Sequence, residues 1–328
     1  MTRAIRWAAA LLCTALAAAD TALAQGYPSR PVRVIQLTAA GGSLDIMARM
    51  LAQSLSETMG QQFYIENKLG AGGNLGVAEL ARARADGYTI GMITAATHGI
   101  NPSLYGNGKL PFDPLGDFEF LAVTAEMRNV VVIHPSVPAH GMQELVRHAK
   151  ANPGKISFGS PGVGTSQHMA GELFKLRAGI DITHVAYRGV AQAAPDLVSG
   201  QIQLMFSTIP NVLDFIRNGQ LRAIGVTTST RSPVLPDAAP VAEQGFPGYD
   251  VKGWVGFAVP KGTPPDIVVE LNRQIVAALA RPDLKDRLAK IGMDTPEPRS
   301  SEQTRDFVKR EIDQWSEVVK AANIQPPQ

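Results

Sequence analysis

Apolar residues come in short runs separated by glycine-rich turns, and the runs alternate between strand-like and helix-like spacing. Val32 to Leu37 reads as a strand that passes through Thr38-Ala39-Ala40-Gly41-Gly42-Ser43 into Leu44 to Met59. There Ile46, Met50, Leu51 and Leu55 fall on one helical face, and Gly60 supplies the stop. Phe63 to Asn67 reads as the next strand, Gly70 to Asn74 as a tight turn, Leu75 to Arg84 as a helix, and Tyr88 to Thr94 as a third strand. This βαβ alternation predicts a parallel sheet.

The same grammar restarts at Lys155 to Gly159, a strand that enters the loop Ser160-Pro161-Gly162-Val163-Gly164-Thr165 and then a helix over Ser166 to Leu176, closed by Gly179. Gln201 to Phe206 and Leu221 to Thr227 predict further strands, with Asn211 as the N-cap of a helix between them. Residues 254 to 260 predict a strand leading to two terminal helices, the last opened by a capping box of Ser300 and Gln303. Two α/β units of this kind fit the length, since 328 residues exceed what one hydrophobic core usually holds.

Each unit thus opens a helix from a glycine loop. Amides at a helix start have no partner within the helix, and the helix dipole adds partial positive charge, so such a turn can hold an anion without lysine or arginine. The plain alternative is that the glycines only permit a sharp strand-to-helix turn. In the anion reading Thr38, Ser43, Ser160 and Thr165 offer hydroxyls, while Gly41, Gly42, Gly162 and Gly164 allow close backbone approach. Asp45 is expected to support the first helix turn rather than touch an anion.

The N-terminus narrows the setting. Arg3 and Arg6 precede the apolar run Trp7 to Ala19, and Ala22-Leu23-Ala24 precedes Gln25, the order of a secretory signal peptide cleaved after Ala24. The run is shorter than the roughly 20 residues of a spanning helix, and Leu12 stands before Cys13 where a lipoprotein would have a small residue. Cleavage over residues 1–24 removes Cys13, the only cysteine, so disulfides and thiol chemistry are excluded from the exported chain. With 31 Lys and Arg against 29 Asp and Glu, neither nucleic acid nor an anionic membrane is expected as a partner.

Other chemistries find little support. The stretch from Gly162 to Gln167 has Gln where a dinucleotide fingerprint needs its third Gly or Ala, and there is no phosphate-binding G-x-x-x-x-G-K-[ST] loop. Neither Ser43 nor Ser160 sits in a G-x-S-x-G frame, and the six histidines contain no H-E-x-x-H pair. His168, near the second loop, can orient a ligand, act as a base, or simply make a backbone hydrogen bond at a helix start. No cofactor or metal is expected.

Ordered along the chain, Tyr27-Pro28-Ser29-Arg30-Pro31, Gly41-Gly42-Ser43-Leu44-Asp45, Gly70-Ala71-Gly72-Gly73-Asn74, Asp86-Gly87-Tyr88-Thr89 and Asn101-Pro102-Ser103-Leu104-Tyr105 resemble signature stretches of the Bug receptor family. So do Ala151 to Lys155, Gly164 to Leu173, Asp181 to Gly189, Arg231-Ser232-Pro233 and Gly262-Thr263-Pro264. The resemblance implies an α/β chain with the type II periplasmic-binding-protein fold, two α/β domains with a ligand cleft between them. Crossing strands would fall near Glu126 to Val130 and Tyr249 to Trp254, making residues 25–127 plus 250–328 a discontinuous first domain and 128–249 the second. It further implies a monomeric periplasmic receptor that binds a small carboxylate through residues 38–45 and 159–168, with ordered water, for a two-component membrane permease of the tripartite tricarboxylate transporter.

Two departures from that pattern bear on the ligand. The family often has Pro-Phe before its first loop and an Asp after Met-Phe in the later strand, whereas this chain has Leu37-Thr38 and Met205-Phe206-Ser207-Thr208. Without that Asp an ammonium group loses its partner and a second carboxylate is not repelled, which favours a dicarboxylate or an aromatic acid over an amino acid. Ser207 can equally be a solvated strand end. Arg188 is either a charge partner for an acid or a solvated surface residue. Two rival readings stay open: a secreted enzyme using Ser160 and His168 on a small acid, and a receptor that presents its ligand to a sensor kinase.

Overall fold

The computed structural model of the chain describes residues 26–106, 108–290 and 292–326. The expected cleavage site after Ala24 lies outside the described residues.

Along the chain, β1 (Val32–Gln36), α1 (Ser43–Met59), β2 (Phe63–Asn67), a short 3-10 turn (Ala71–Gly73), α2 (Asn74–Ala81) and β3 (Thr89–Thr94) come first. A π-helical segment (Ala95–Ile100) and α3 (Asn101–Tyr105) lead to the long β4 (Phe118–Ile133). The second unit holds α4 (Met142–Ala151), β5 (Ser157–Ser160), α5 (Ser166–Ala178), β6 (Thr183–Ala186), α6 (Val190–Val198), β7 (Leu204–Thr208), α7 (Ile209–Arg217) and β8 (Arg222–Val226). The chain then returns through β9 (Lys252–Pro260), α8 (Pro265–Ala280), α9 (Pro282–Lys290), β10 (Met293–Asp294) and α10 (Ser301–Ala321).

The strands form one mixed sheet in the order β2-β1-β3-β9-β4-β7-β5-β6, with β8 and β10 also pairing with β4. β1 pairs in parallel with β2 and β3, and β5 does so with β6 and β7. The inner strands β1, β3 and β7 are buried almost throughout, which is why they read as apolar runs, whereas β2 and β6 at the two edges are partly exposed. Joining the halves, β4 pairs with β9 from Phe118 to Arg128 and with β7 and β8 from Asn129 to Ile133. The partner change falls between Arg128 and Asn129.

Helix ends follow the local rules. Gly60 and Gly179 close α1 and α5 in the left-handed conformation that glycine adopts freely, and Ser300 with Gln303 forms the expected capping box of α10. Two readings need correction. Thr208, not Asn211, is the N-cap position of α7; Asn211 is the third helical residue, and its Nδ2 donates back to Thr208 Oγ1 at 2.8 Å. β7 starts three residues later than its apolar run, because the amides of Gln201 and Ile202 close the end of α6 on Asp196 O.

The first core is built around Val34, Ile35, Leu51, Phe118 and Phe257 and includes Phe307 and Val308 of α10. On one face of the second half, Phe158, Phe174 and Phe206 pack with Ile100 and Leu104 and with Trp315 and Val319 from the far end of α10. A third cluster, with Val130, Leu197 and Met205, covers the other face. One half-buried carboxylate ties α10 down: Glu311 Oε2 accepts from Trp254 Nε1 of β9 at 2.7 Å and from Trp315 Nε1 at 3.2 Å. Among the described residues no helix is long and apolar enough to cross a membrane.

Candidate functional site

The first loop leaves β1 at Gln36, which is fully buried and spends its amide on the next turn. Its Oε1 accepts from the Thr38 amide at 2.6 Å, and its Nε2 donates to Thr38 Oγ1 at 2.6 Å. Thr38 Oγ1 therefore already accepts, and its own proton is free for something else. Residues 39 to 42 are exposed. Gly41 adopts φ +84°, a conformation that favours glycine.

Asp45 fixes this loop from behind. Only 2% exposed, it accepts from the Gly41 amide at 2.9 Å, from Arg49 Nε and Nη2 at 2.8 and 3.1 Å, and from Asn67 Nδ2 at 3.0 Å. Burial pushes its carboxyl up, but the bonds from Arg49, the Gly41 amide and Asn67 outweigh that and hold it below the ordinary range. These bonds hold the loop to the first turn of α1. Gly42 is the N-cap of α1 and provides no side-chain bond. The first regular helix bond runs from the Ile46 amide to Gly42 O at 2.9 Å, so the amides of Ser43, Leu44 and Asp45 point out of an uncapped, positive helix end.

The second loop is more self-satisfied. Thr165 caps α5 by accepting from the His168 amide at 3.2 Å and donates its hydroxyl to Gly162 O at 2.8 Å. His168 Nδ1 accepts from the Gly164 amide at 3.2 Å, which is the helix-start backbone bond weighed for it above. Ser160, fully buried at the end of β5, accepts from the Gly162 amide at 3.2 Å and lies 2.7 Å from His184 Nε2. Because β5 and β6 run in parallel register, His184 arrives beneath the loop beside Phe158.

This geometry corrects the pairing in the enzyme reading: the histidine on Ser160 is His184 and not His168. The rings of His168 and His184 stack at 4.1 Å with a 26° interplanar angle. Burial pushes both imidazoles down, His168 to about 3, with repulsion from His184 and Lys175 adding to it, and His184 to about 4, with Lys175 adding to it. Both are neutral near pH 7. Glu172 joins them, so that one ligand atom from each of the three lies within 4.8 Å of the others. Each imidazole already spends one ring nitrogen within the loop, His168 Nδ1 on the Gly164 amide and His184 Nε2 on Ser160 Oγ.

Ser207 is fully buried and Thr208 nearly so. They end β7 opposite Val130 and Asn129, where β4 has just changed partners. Ser207 is therefore not a solvated strand end; its Oγ donates to Thr208 O at 3.3 Å. Arg188 is exposed, with its backbone amide donating to Gln192 Oε1 at 3.3 Å.

Sequence reading missed what joins the loops. A Cβ at Gly73 would stand 3.1 Å from both Leu37 and Thr97, and one at Gly164 would stand 2.5 Å from Asn101 Oδ1. Asn101 Nδ2 donates to Asn74 Oδ1 at 2.9 Å. The path from the first loop to the second thus runs through Gly73, Asn74 and Asn101, beside the π-helical segment, a deviation from α geometry that frequently marks functional sites. Only the run Gly-Gly-Asn ahead of a helix and the Asn-Pro that opens α3 signalled these positions.

Residues 47–324 match a family model described as "Tripartite tricarboxylate transporter family receptor". The chain is similar to protein BugT of Bordetella pertussis, at 34% identity over 98% of this chain and 97% of that one. It is also similar to two solved structures. One, titled as Rpa4515 of R. palustris with adipate, has 33% identity and a TM-score of 0.86 over 92% of this chain and all of that one. The other, titled as MatC from Rhodopseudomonas palustris with bound malate, has 32% identity and a TM-score of 0.82 over 89% of this chain and all of that one.

Proposed function

The chain belongs to the tripartite tricarboxylate transporter receptor family, and from that premise we propose that it is a periplasmic receptor that captures a small organic carboxylate and delivers it to a two-component membrane permease. The observation that carries the reading is the uncapped start of α1. Three amides and a helix dipole face an exposed glycine loop whose shape is fixed by the buried Asp45 network. A carboxylate there gains charge-assisted bonds without any counter-charge.

In this reading, residues 25–127 with 250–328 form one lobe and 128–249 the other, hinged where β4 changes partners and where β9 re-enters the first lobe. The ligand meets Thr38 and residues 41–43 on one side and the Gly162 to Thr165 turn on the other. Closure excludes water and strengthens the bonds to the acid, and the permease reads the closed form through its differential affinity for it. No chemistry is performed on the ligand. The fully buried Ser160 has its hydroxyl engaged beneath the loop, which argues against a nucleophile. A dicarboxylate is favoured, because Ser207 leaves the lobe interface without a carboxylate at that position and because the two relatives above are titled with adipate and with malate.

The test is a thermal-shift screen of the secreted form, monomeric in this reading, against mono-, di- and tricarboxylates, aromatic acids and amino acids. A ligand at 100 times its Kd stabilises by about 2.7 kcal/mol. A shift with one acid recovered unchanged supports the receptor. Turnover of that acid, or stabilisation by nucleotides alone, overturns it.

A further inference from the structure

Asn74 and Asn101 make half of the bond that two amides can make. Asn101 Nδ2 donates to Asn74 Oδ1 at 2.9 Å, while Asn101 Oδ1, fully enclosed, has no partner. Both side chains are buried, at 3% exposure each, and Asn74 Nδ2 makes no protein hydrogen bond among the described residues. One donor, on Asn74, and one enclosed acceptor, on Asn101, are therefore left over in a single pair. Exchanging O and N of both amides leaves the same inventory.

The location turns this surplus into a reading device. Asn74 opens α2 directly after Gly73, which packs against Leu37 at the start of the first loop. Asn101 Oδ1 lies against Gly164 of the second loop, where φ is +78° and only a glycine leaves the oxygen uncrowded. The pair thus stands between the two proposed ligand-holding turns.

Resting on the carboxylate-receptor reading above, we infer that Asn74 and Asn101 select an acid that carries a hydroxyl group. A hydroxyl accepts from one amide and donates to the other, which satisfies both leftovers at once. A methylene leaves both unpaired, and a keto group accepts but leaves the oxygen unpaired; a buried polar group without a partner costs free energy. An ammonium has no lone pair for the leftover donor and brings a charge that a neutral amide does not balance. Asp45, the buried carboxylate at the first loop, is already occupied by Arg49, Asn67 and Gly41.

The experiment measures calorimetric affinities of the secreted protein for matched acids: malate and succinate, 2-hydroxyglutarate, 2-oxoglutarate and glutarate, mandelate and phenylacetate. Within the set that binds, the hydroxy acid is expected to bind about tenfold or more tighter than its methylene parent, with any keto acid between. Asn74→Ala and Asn101→Ala each bring the hydroxy-to-methylene ratio to within about threefold, because the hydroxy acid loses more than its parent. A purely structural role lowers both affinities in step and overturns the inference. So does a wild-type ratio near one, which needs no variant and leaves the receptor reading intact. Failure of every carboxylate to bind overturns both.

Discussion

Ser160 Oγ and His184 Nε2 lie 2.7 Å apart, joining the start of the second loop to the middle of the neighbouring strand. The bond has a structural logic. A serine at the end of a buried strand needs a partner, and the parallel pairing of β5 with β6 brings a neutral imidazole to it. The loop above is then held in one shape before any ligand arrives, which lowers the ordering cost of binding.

Replacing Ser160 by alanine should therefore loosen the loop as well as the fold. His184 Nε2 and the Gly162 amide lose their partner, at a cost of about 1–3 kcal/mol for the buried groups left unpaired. Urea unfolding measures that loss, and carboxylate affinity should fall with it. A variant as stable as the parent with unaltered affinity would sink the anchoring role.

The histidines make stability depend on pH. His98, His168 and His184 are pushed down by burial to about 3, about 3 and about 4, whereas the unfolded imidazole titrates near 6.5. Between those values the unfolded chain binds protons that the folded chain refuses, so stability is complete above about 6.5 and declines as pH falls toward 4. The slope reaches at most about 1.4 kcal/mol per pH unit for each histidine. Urea midpoints at pH 7, 6 and 5 check this, and a flat profile would contradict it.

Two glycines should respond differently to alanine. Gly41 has φ +84° and open space around it, so only backbone strain of about 1–2 kcal/mol is expected. At Gly164 the methyl would also stand 2.5 Å from Asn101 Oδ1 and 3.0 Å from Leu104, adding an overpacking cost of about 1–3 kcal/mol. Chemical denaturation of both variants should rank Gly164→Ala as clearly the less stable; equal losses would show that the contact between loop and Asn101 is slack.

Asp45 and Arg49 form another unequal pair. Asp45→Ala takes the acceptor from the Gly41 amide and from Arg49, while Asn67 Nδ2 keeps Gln36 Oε1 and Thr38 O, and should cost about 1–3 kcal/mol. Arg49 is half exposed, so Arg49→Ala should cost under about 1 kcal/mol. Ligand affinity should follow the same order, since Asp45 and not Arg49 holds the loop backbone. The reverse order would mean that the charge pair, rather than the loop contact, is what matters.

The parts of the fold written locally were legible. Periodicity located β1, α1, β2 and β3 to within a residue or so; Gly60, Gly179 and the Ser300 box marked helix ends through local hydrogen bonding. What failed was whatever depends on distant pairing. The Glu126 to Val130 crossing was placed by family likeness, but the 16 residues of β4 are nearly all buried, and a continuous apolar stretch carries no register that distinguishes one long strand from a shorter one. Thr208 displaced Asn211 as N-cap because β7 ends there. His184 reaches Ser160, and Asn101 reaches Gly164, only once the sheet and the lobes have assembled, so nothing in their immediate neighbours announces either contact.

One helix completes both halves of the molecule. Phe307 and Val308 fill the first core and Trp315 and Val319 the second, all within the last turns of the chain. Loosening that helix would therefore open a gap in both cores at once. Four side chains on one helix thus couple the stability of the two halves.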